Sequence, residues 1–93
     1  MKLRHLIVLL GLWVATAAQA LTAIEFLRME TDGKEADVCK QLVFDFVSQG
    51  YRNVPDWSKL SVAMRKKILE KGYTTMSVEQ VALEAALETG MRR

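Results

Sequence analysis

The first twenty residues set the limit on what this chain can fold into. They begin with a short basic segment at residues 1–5 and continue as an apolar run from Leu6 to Ala18. An A-x-A site, Ala18-Gln19-Ala20, follows. A basic start, an apolar centre and small residues at the exit are the three parts of a secretory signal peptide. We therefore expect cleavage after Ala20, with Ala18 and Ala20 as the cleavage-site residues, and a periplasmic or secreted mature chain.

Two other structures could use the same apolar run. A transmembrane anchor needs about 20 apolar residues, whereas Leu6 to Ala18 supplies 13. If the run were a core helix of the fold, the basic start and the A-x-A site would both be coincidences. The sequence therefore favours a cleaved signal, and we expect no stable membrane insertion after cleavage.

Cleavage after Ala20 would leave residues 21–93, which is 73 residues and one small domain. A domain of this size buries only about 60% of the surface that its unfolded chain exposes. Natural domains of this size often add disulfides, a metal or a partner subunit. Because Cys39 is the only cysteine, an internal disulfide is excluded, and a homodimer remains an open possibility.

The residue inventory of this domain argues against catalysis. The only histidine, His5, lies in the signal, so the domain has neither a Ser-His or Cys-His pair nor the commonest metal ligand. We expect no catalytic site, no metal and no cofactor, and hence no enzyme. Residues 21–93 contain 11 basic and 11 acidic side chains. A strongly basic nucleic-acid-binding surface is therefore not expected.

Start and stop signals divide residues 21–93 into about four helices. Capping boxes T-A-I-E and S-V-E-Q begin at Thr22 and Ser77. Glycines that can end helices follow at Gly50, Gly72 and Gly90. No segment shows sustained strand alternation, so the fold class is all-α, a small bundle whose consecutive helices pack antiparallel. The expected helices cover about 22–30, 34–49, 56 or 58 to 71, and 77–89.

Helical periodicity gives the second helix one apolar half. Its members are Val38, Cys39, Leu42, Val43, Phe46 and Val47. Cys39 lies in the middle of this half, either as a buried small hydrophobe or as half of an intermolecular disulfide. A reactive nucleophile would lack a histidine to activate it. Phe44 lies off the apolar half, where it is either covered by the first helix or the tail, or contacts a partner.

The third helix has apolar residues on two sides. Its main stripe is Trp57, Leu60, Met64 and Ile68, and Val62 and Leu69 lie nearly opposite. A helix of this kind is either central in its fold or shared with another chain. The fourth helix carries Val78, Val81, Ala82 and Ala85 on one side, extended by Leu83 and Leu87. Glu84 and Glu88 fall on what we expect to be an open acidic face, as a solubilising or docking surface.

Four segments of this sequence resemble a known family. They are L-T-A-I-E-F-L at residues 21–27, Cys39 within the second helix, I-L-E-K-G-Y at residues 68–73 and V-A-L-E-A-A-L at residues 81–87. In these segments the chain is similar to small periplasmic immunity proteins against type VI secretion cell-wall amidases, the resistance-associated, Tai-like superfamily. Members of that family usually have disulfides, and they often have glycines just after the cysteine. Residues 40–45 of this chain contain no glycine. The resemblance implies a helical protein that occludes an amidase.

The sequence thus predicts an exported, non-catalytic protein that binds another protein, most concretely a toxin amidase. The partner-binding candidates are Phe44, Val62, Leu69, Glu84 and Glu88. The alternative is a small envelope stress protein of the holdase type, or an accessory helical protein. A holdase would use marginal stability and its methionines, Met29, Met64 and Met76, to expose apolar surface to unfolded clients.

Overall fold

The computed structural model describes residues 21–29 and 33–93. This part of the chain forms four α-helices and no strands beyond two isolated bridges: α1 (Ala23–Arg28), α2 (Lys34–Ser48), α3 (Trp57–Lys71) and α4 (Val78–Glu88). Helix α3 is central, because it packs against each of the other three helices. The prediction of a small all-α bundle is confirmed. The expected signal peptide, with Ala18 and Ala20, lies outside the described residues.

The predicted helix boundaries agree closely with the structure. Glu25 Oε1 accepts hydrogen bonds from the backbone N–H and the hydroxyl of Thr22 at the start of α1. Asp56 and Ser77 cap α3 and α4 by accepting a backbone N–H three residues later. The one clear difference is the end of α1 at Arg28, about two residues earlier than predicted.

Helices α2 and α3 pack in opposite directions, as their short connection predicts. Glu35, at the start of α2, contacts Arg65 in the second half of α3. Five residues further along α2, Lys40 lies over the ring of Trp57 at the start of α3. The contacting positions therefore run in opposite order along the two helices, which is the arrangement of an antiparallel pair.

The core lies on the inner faces of all four helices. Phe26, Leu42, Leu60, Met64, Val78 and Val81 are its largest fully buried apolar side chains. Small residues of α4, Ala82, Ala85 and Ala86, are also buried and let α3 approach closely. Three residues that the apolar stripes placed inside are instead exposed: Val47, Trp57 and Leu87. Each lies within four residues of a helix end, where the neighbouring helices no longer cover it.

Two isolated β-bridges attach the ends of the domain to its loops. Thr22 pairs with Ser77, and the backbone N–H groups of Ala23 and Val78 donate to the carbonyls of Met76 and Leu21. The two paired residues are the N-caps of α1 and α4, so the first turns of both helices are held side by side. Near the other end of the molecule, Arg52 and Arg92 pair by exchanging both backbone hydrogen bonds directly.

No helix within residues 21–29 and 33–93 combines the length and hydropathy that crossing a bilayer requires.

Candidate protein-binding surface

Phe44 lies on the outer face of α2, directly opposite the buried residues Cys39, Leu42 and Phe46. Its side chain is 65% exposed. The expectation that α1 or the tail covers it is wrong. Helix α1 packs mainly on α3 and α4, and the tail pairs with the loop at Arg52 instead. Phe44 is therefore available to a partner.

Other side chains extend the apolar surface around Phe44. Lys40 and Val47 share its face of α2, since residues three and four apart are neighbours on a helix. Val47 is 59% exposed. The Lys40 ammonium lies 5.4 Å from the centroid of the Trp57 ring, a favourable cation–π distance. The outer face of α2 thus continues through Lys40 onto the start of α3.

Val62 and Leu69 form a second apolar surface on the outer face of α3. They are 68% and 71% exposed and lie two helical turns apart. Lys66 lies between them on the same face and is exposed. The sequence placed both residues opposite the main stripe of α3. In the structure α3 contacts the three other helices, but none of them covers this outer face.

A groove of about 940 Å³ lies beside Val62. We call it the docking groove and define it by its apolar lining, Val54, Pro55, Val62 and Ala63, and its basic lining, Lys59 and Lys66. Thr89 at the end of α4 closes it on the far side. The docking groove therefore joins the outer face of α3 to the loop before α3 and the end of α4.

Glu84 and Glu88 lie on α4, where Glu88 is exposed and Glu84 is half-buried, and both approach a lysine of α3. Glu88 Oε2 accepts a hydrogen bond from Lys67 Nζ at 2.6 Å, and Glu84 Oε1 lies 3.8 Å from the same nitrogen. Tyr73 also donates to Glu84 Oε1, at 3.2 Å. Two carboxylates therefore face one lysine of α3 and keep a net negative charge, and Glu84 and Glu88 remain candidates for partner binding.

The ion pair shifts the titration of its members. The hydrogen bond from Lys67 lowers the pKa of Glu88, and that same bond raises the pKa of Lys67. Burial and the charge of Glu84 raise the pKa of the Tyr73 phenol. Sequence reasoning missed this cluster, although Lys67 follows Met64 by three residues and Leu60 by seven. That spacing already placed the lysine on the buried face of α3.

A second polar network, also missed from the sequence, joins α1, α2 and α3. Glu35 Oε2 accepts hydrogen bonds from the Ser61 hydroxyl at 2.6 Å and from Arg65 Nε at 2.7 Å. The Arg65 guanidinium also donates to the carbonyl of Leu27 and lies 5.3 Å from the ring centroid of Phe26. The positive charge of Arg65 is therefore balanced by contacts within the fold.

Cys39 lies fully buried beside this network. Burial, with a contribution from the charge of Glu35, raises the pKa of its thiol to about 12. Because the sulfur has no exposed surface, it cannot reach a second chain without opening the fold. This burial argues against the intermolecular disulfide and agrees with the interpretation of Cys39 as a small buried hydrophobe.

The structure thus separates the five predicted binding residues. Phe44 lies on α2, Val62 and Leu69 share a face of α3, and the two glutamates lie on α4, where they pair with Lys67. Within the described ranges, no group of three or more His, Cys, Asp or Glu side chains could hold a metal ion.

Comparison with known proteins yields no match to this chain among protein families, curated proteins or solved structures.

Proposed function

We propose that this chain is an exported, non-catalytic periplasmic protein that binds and occludes another protein. The most concrete partner is a cell-wall amidase toxin, which follows from the resemblance to periplasmic immunity proteins. The observation that carries the proposal is the exposure of large apolar side chains on the outer faces of α2 and α3. Phe44, Val62 and Leu69 are each about two-thirds exposed.

The energetics of these residues favour a role in binding. A side chain that remains exposed adds almost nothing to the stability of its own fold, whereas burying it in a complex favours association by about 1.5–3 kcal/mol. Aromatic residues are also enriched among those that dominate binding energy. Helix α3 is central, and a partner protein could pack on its uncovered outer face.

The holdase alternative has less support. Its methionines do not form an exposed surface, because Met64 is buried and Met29 and Met76 are half-buried. The exposed apolar side chains are aromatic and branched aliphatic, and they lie on regular helices. A rigid surface of this type suits one specific partner better than many unfolded ones.

The test is affinity capture from a gentle periplasmic extract, with a tag joined after Arg93 by a flexible linker. We expect one stoichiometric partner with cell-wall hydrolase activity, inhibited by the captured protein. Phe44→Asp or Leu69→Asp should abolish capture. Leu87→Asp is the matched control, since Leu87 is an exposed apolar residue on α4.

Circular dichroism of each variant distinguishes lost binding from lost folding. Helicity should remain unchanged, because none of the three side chains belongs to the core. Recovery of many weak clients would instead favour the holdase function. Capture of the same partner by all three variants would rule out the outer faces as the binding surface.

A further inference from the structure

Two arginines lie directly opposite each other at one end of the molecule. Arg92 donates its backbone N–H to the carbonyl of Arg52 at 3.0 Å, and Arg52 returns the bond to Arg92. Residues that exchange both bonds in an antiparallel pair lie about 5.5 Å apart at Cα, with side chains on the same side. The bridge therefore holds the backbones of two exposed arginines side by side.

Arg93 adds a third positive charge at this end. Its guanidinium lies 4.6 Å from the ring centroid of Tyr51, which in turn packs edge-on against Phe46. We call Arg52, Arg92 and Arg93 the arginine cluster. All three are exposed, and among the described residues no carboxylate forms an ion pair with any of them. Like charges placed directly opposite each other are destabilising. The arginine cluster therefore does not serve to stabilise the fold.

The helix ends nearby offset only part of this charge. Helices α2 and α4 both terminate here, at Gln49 and Thr89, and neither has a basic residue in its last turn. The end of each helix carries about half a negative charge. Two helix ends therefore balance about one of the three positive charges, and the cluster keeps a net positive charge.

Residues close to the arginine cluster in sequence line the docking groove. Asn53, which follows Arg52, and Thr89, which precedes Arg92 by three residues, both line it. Its only acidic lining residue, Asp56, already accepts hydrogen bonds from Ser58 and from the backbone of Lys59. The groove therefore presents apolar side chains such as Val62 together with two lysines, and Arg52 and Arg92 lie within three residues, in sequence, of its lining.

We propose that the docking groove and the arginine cluster bind an acidic segment of the protein partner. Carboxylates of that segment pair with Arg52 and Arg92, and an apolar side chain beside them packs on Val62. Arginine forks match carboxylates in bidentate geometry. This inference deepens the proposed function and rests on it, since it specifies the chemistry of the partner surface.

Shape and overall charge favour a protein segment over other polyanions. An extended peptide can enter a concave groove with an apolar lining, whereas a membrane surface or a nucleic-acid duplex is too broad. The balanced charge of residues 21–93 also gives little long-range attraction to an extended polyanion. Binding by a vesicle or a duplex is therefore an outcome that the test distinguishes.

The test is a titration of isotope-labelled protein, purified from cells that express the full chain, with an acetylated and amidated eight-residue peptide of alternating glutamate and leucine. We expect saturable shifts of the backbone amide signals of Arg52, Lys59, Val62 and Arg92, and weaker affinity at high salt. The same peptide with glutamine in place of glutamate should bind at least tenfold more weakly.

Variants identify the charges responsible. The double variant Arg52→Gln/Arg92→Gln should weaken binding of the acidic peptide at least tenfold, because both carboxylate partners are lost while the backbone bridge remains. Arg28→Gln is the matched control on α1, where the arginine is also exposed, and should bind like the parent protein.

Three results would overturn the proposal. They are an acidic peptide that shifts no groove signal, an unchanged affinity in the double variant, or stronger binding to phosphatidylglycerol vesicles or a DNA duplex than to the peptide. The proposed function fails separately, in the capture experiment with Phe44→Asp and Leu69→Asp. If the double arginine variant captured the partner at full affinity, the proposed binding function would stand and the acidic segment would be ruled out.

Discussion

Lys67 Nζ lies 2.6 Å from Glu88 Oε2 and so joins the middle of α3 to the last turn of α4. The lysine stem is buried along the helix interface, while the carboxylate of Glu88 remains largely exposed. Long basic side chains commonly bury their stems in this way and keep the charged end near water. The stem and the charge can therefore be tested separately.

We expect Lys67→Ala to lower the melting temperature more than Lys67→Met. Methionine keeps most of the buried stem and removes only the charge, whose pair with an exposed carboxylate adds little to stability. Alanine removes both and leaves a gap between α3 and α4. Thermal unfolding followed by circular dichroism measures the difference. Equal melting temperatures for the two variants would show that the ion pair, and not the stem, holds the helices.

We expect Glu35→Gln to lower the free energy of unfolding by about 2 kcal/mol, the typical worth of hydrogen bonds to a charged group. The substitution leaves the half-buried Arg65 without its carboxylate and weakens the bond from Ser61. Urea denaturation at neutral pH gives the value. Asp37→Gln is the control on the same helix, where the carboxylate is exposed, and it should unfold at nearly the parent urea concentration.

Acid should destabilise the domain below about pH 4.5, the ordinary pKa of glutamate. Burial raises the pKa of Glu35, but hydrogen bonds from Ser61 and Arg65 lower it by more. Since its pKa is lower in the folded state, its contribution is present above pH 4.5 and is lost as the pH falls through the folded value. Urea midpoints at pH 7 and pH 3.5 test this, and Glu35→Gln should show the smaller drop. An equal drop would mean that other carboxylates carry the effect.

The Cys39 thiol should resist modification in the folded protein at pH 8. It is fully buried, and its pKa of about 12 leaves almost no thiolate. Reaction with a disulfide reagent should therefore follow the rate of opening and become rapid only in denaturant. Because burial raises this pKa, the thiol stabilises the folded state below its ordinary value of 9 and loses that contribution as the pH rises towards 12. Rapid modification without denaturant would contradict the burial.

Gly72→Ala should cost about 1 kcal/mol of stability through the backbone alone. Gly72 ends α3 with φ of +68°, and an added Cβ would meet no atom within 4 Å. The cost is therefore conformational strain and not a clash. Gly72→Asn should cost less, because asparagine tolerates this region better than alanine. Equilibrium urea unfolding of both variants checks the order, and a neutral alanine variant would place the true end of α3 elsewhere.

Local signals in the sequence were sufficient for most of the fold. A capping residue and a glycine stop mark the helices in a few adjacent positions, so Asp56, Ser77 and Gly72 could be recognised without tertiary information. The inner faces followed from helical periodicity for the same reason. Exposure at Val47 and Leu87 could not be predicted, because it depends on where neighbouring helices stop covering a stripe.

The candidate protein-binding surface was only partly predictable. Phe44, Val62 and Leu69 were recognisable as apolar residues on the wrong side of a helix. The ion pairs of Glu84 and Glu88 could not be predicted, because their partner, Lys67, approaches from another helix. The arginine cluster was missed entirely, since only the tertiary bridge brings Arg52 and Arg92 together.

The two β-bridges also bear on the order in which the domain can fold. Thr22 finds its partner only at Ser77, and Arg52 only at Arg92. A chain that emerges from a translocation channel with its N-terminus first would wait for almost its whole length before either bridge could close. Helices α2 and α3 could associate earlier, but the first turn of α1 would remain without its partner. For the exported chain proposed above, folding would therefore finish only after release from the channel, and Phe26 and Leu60 would stay exposed until then.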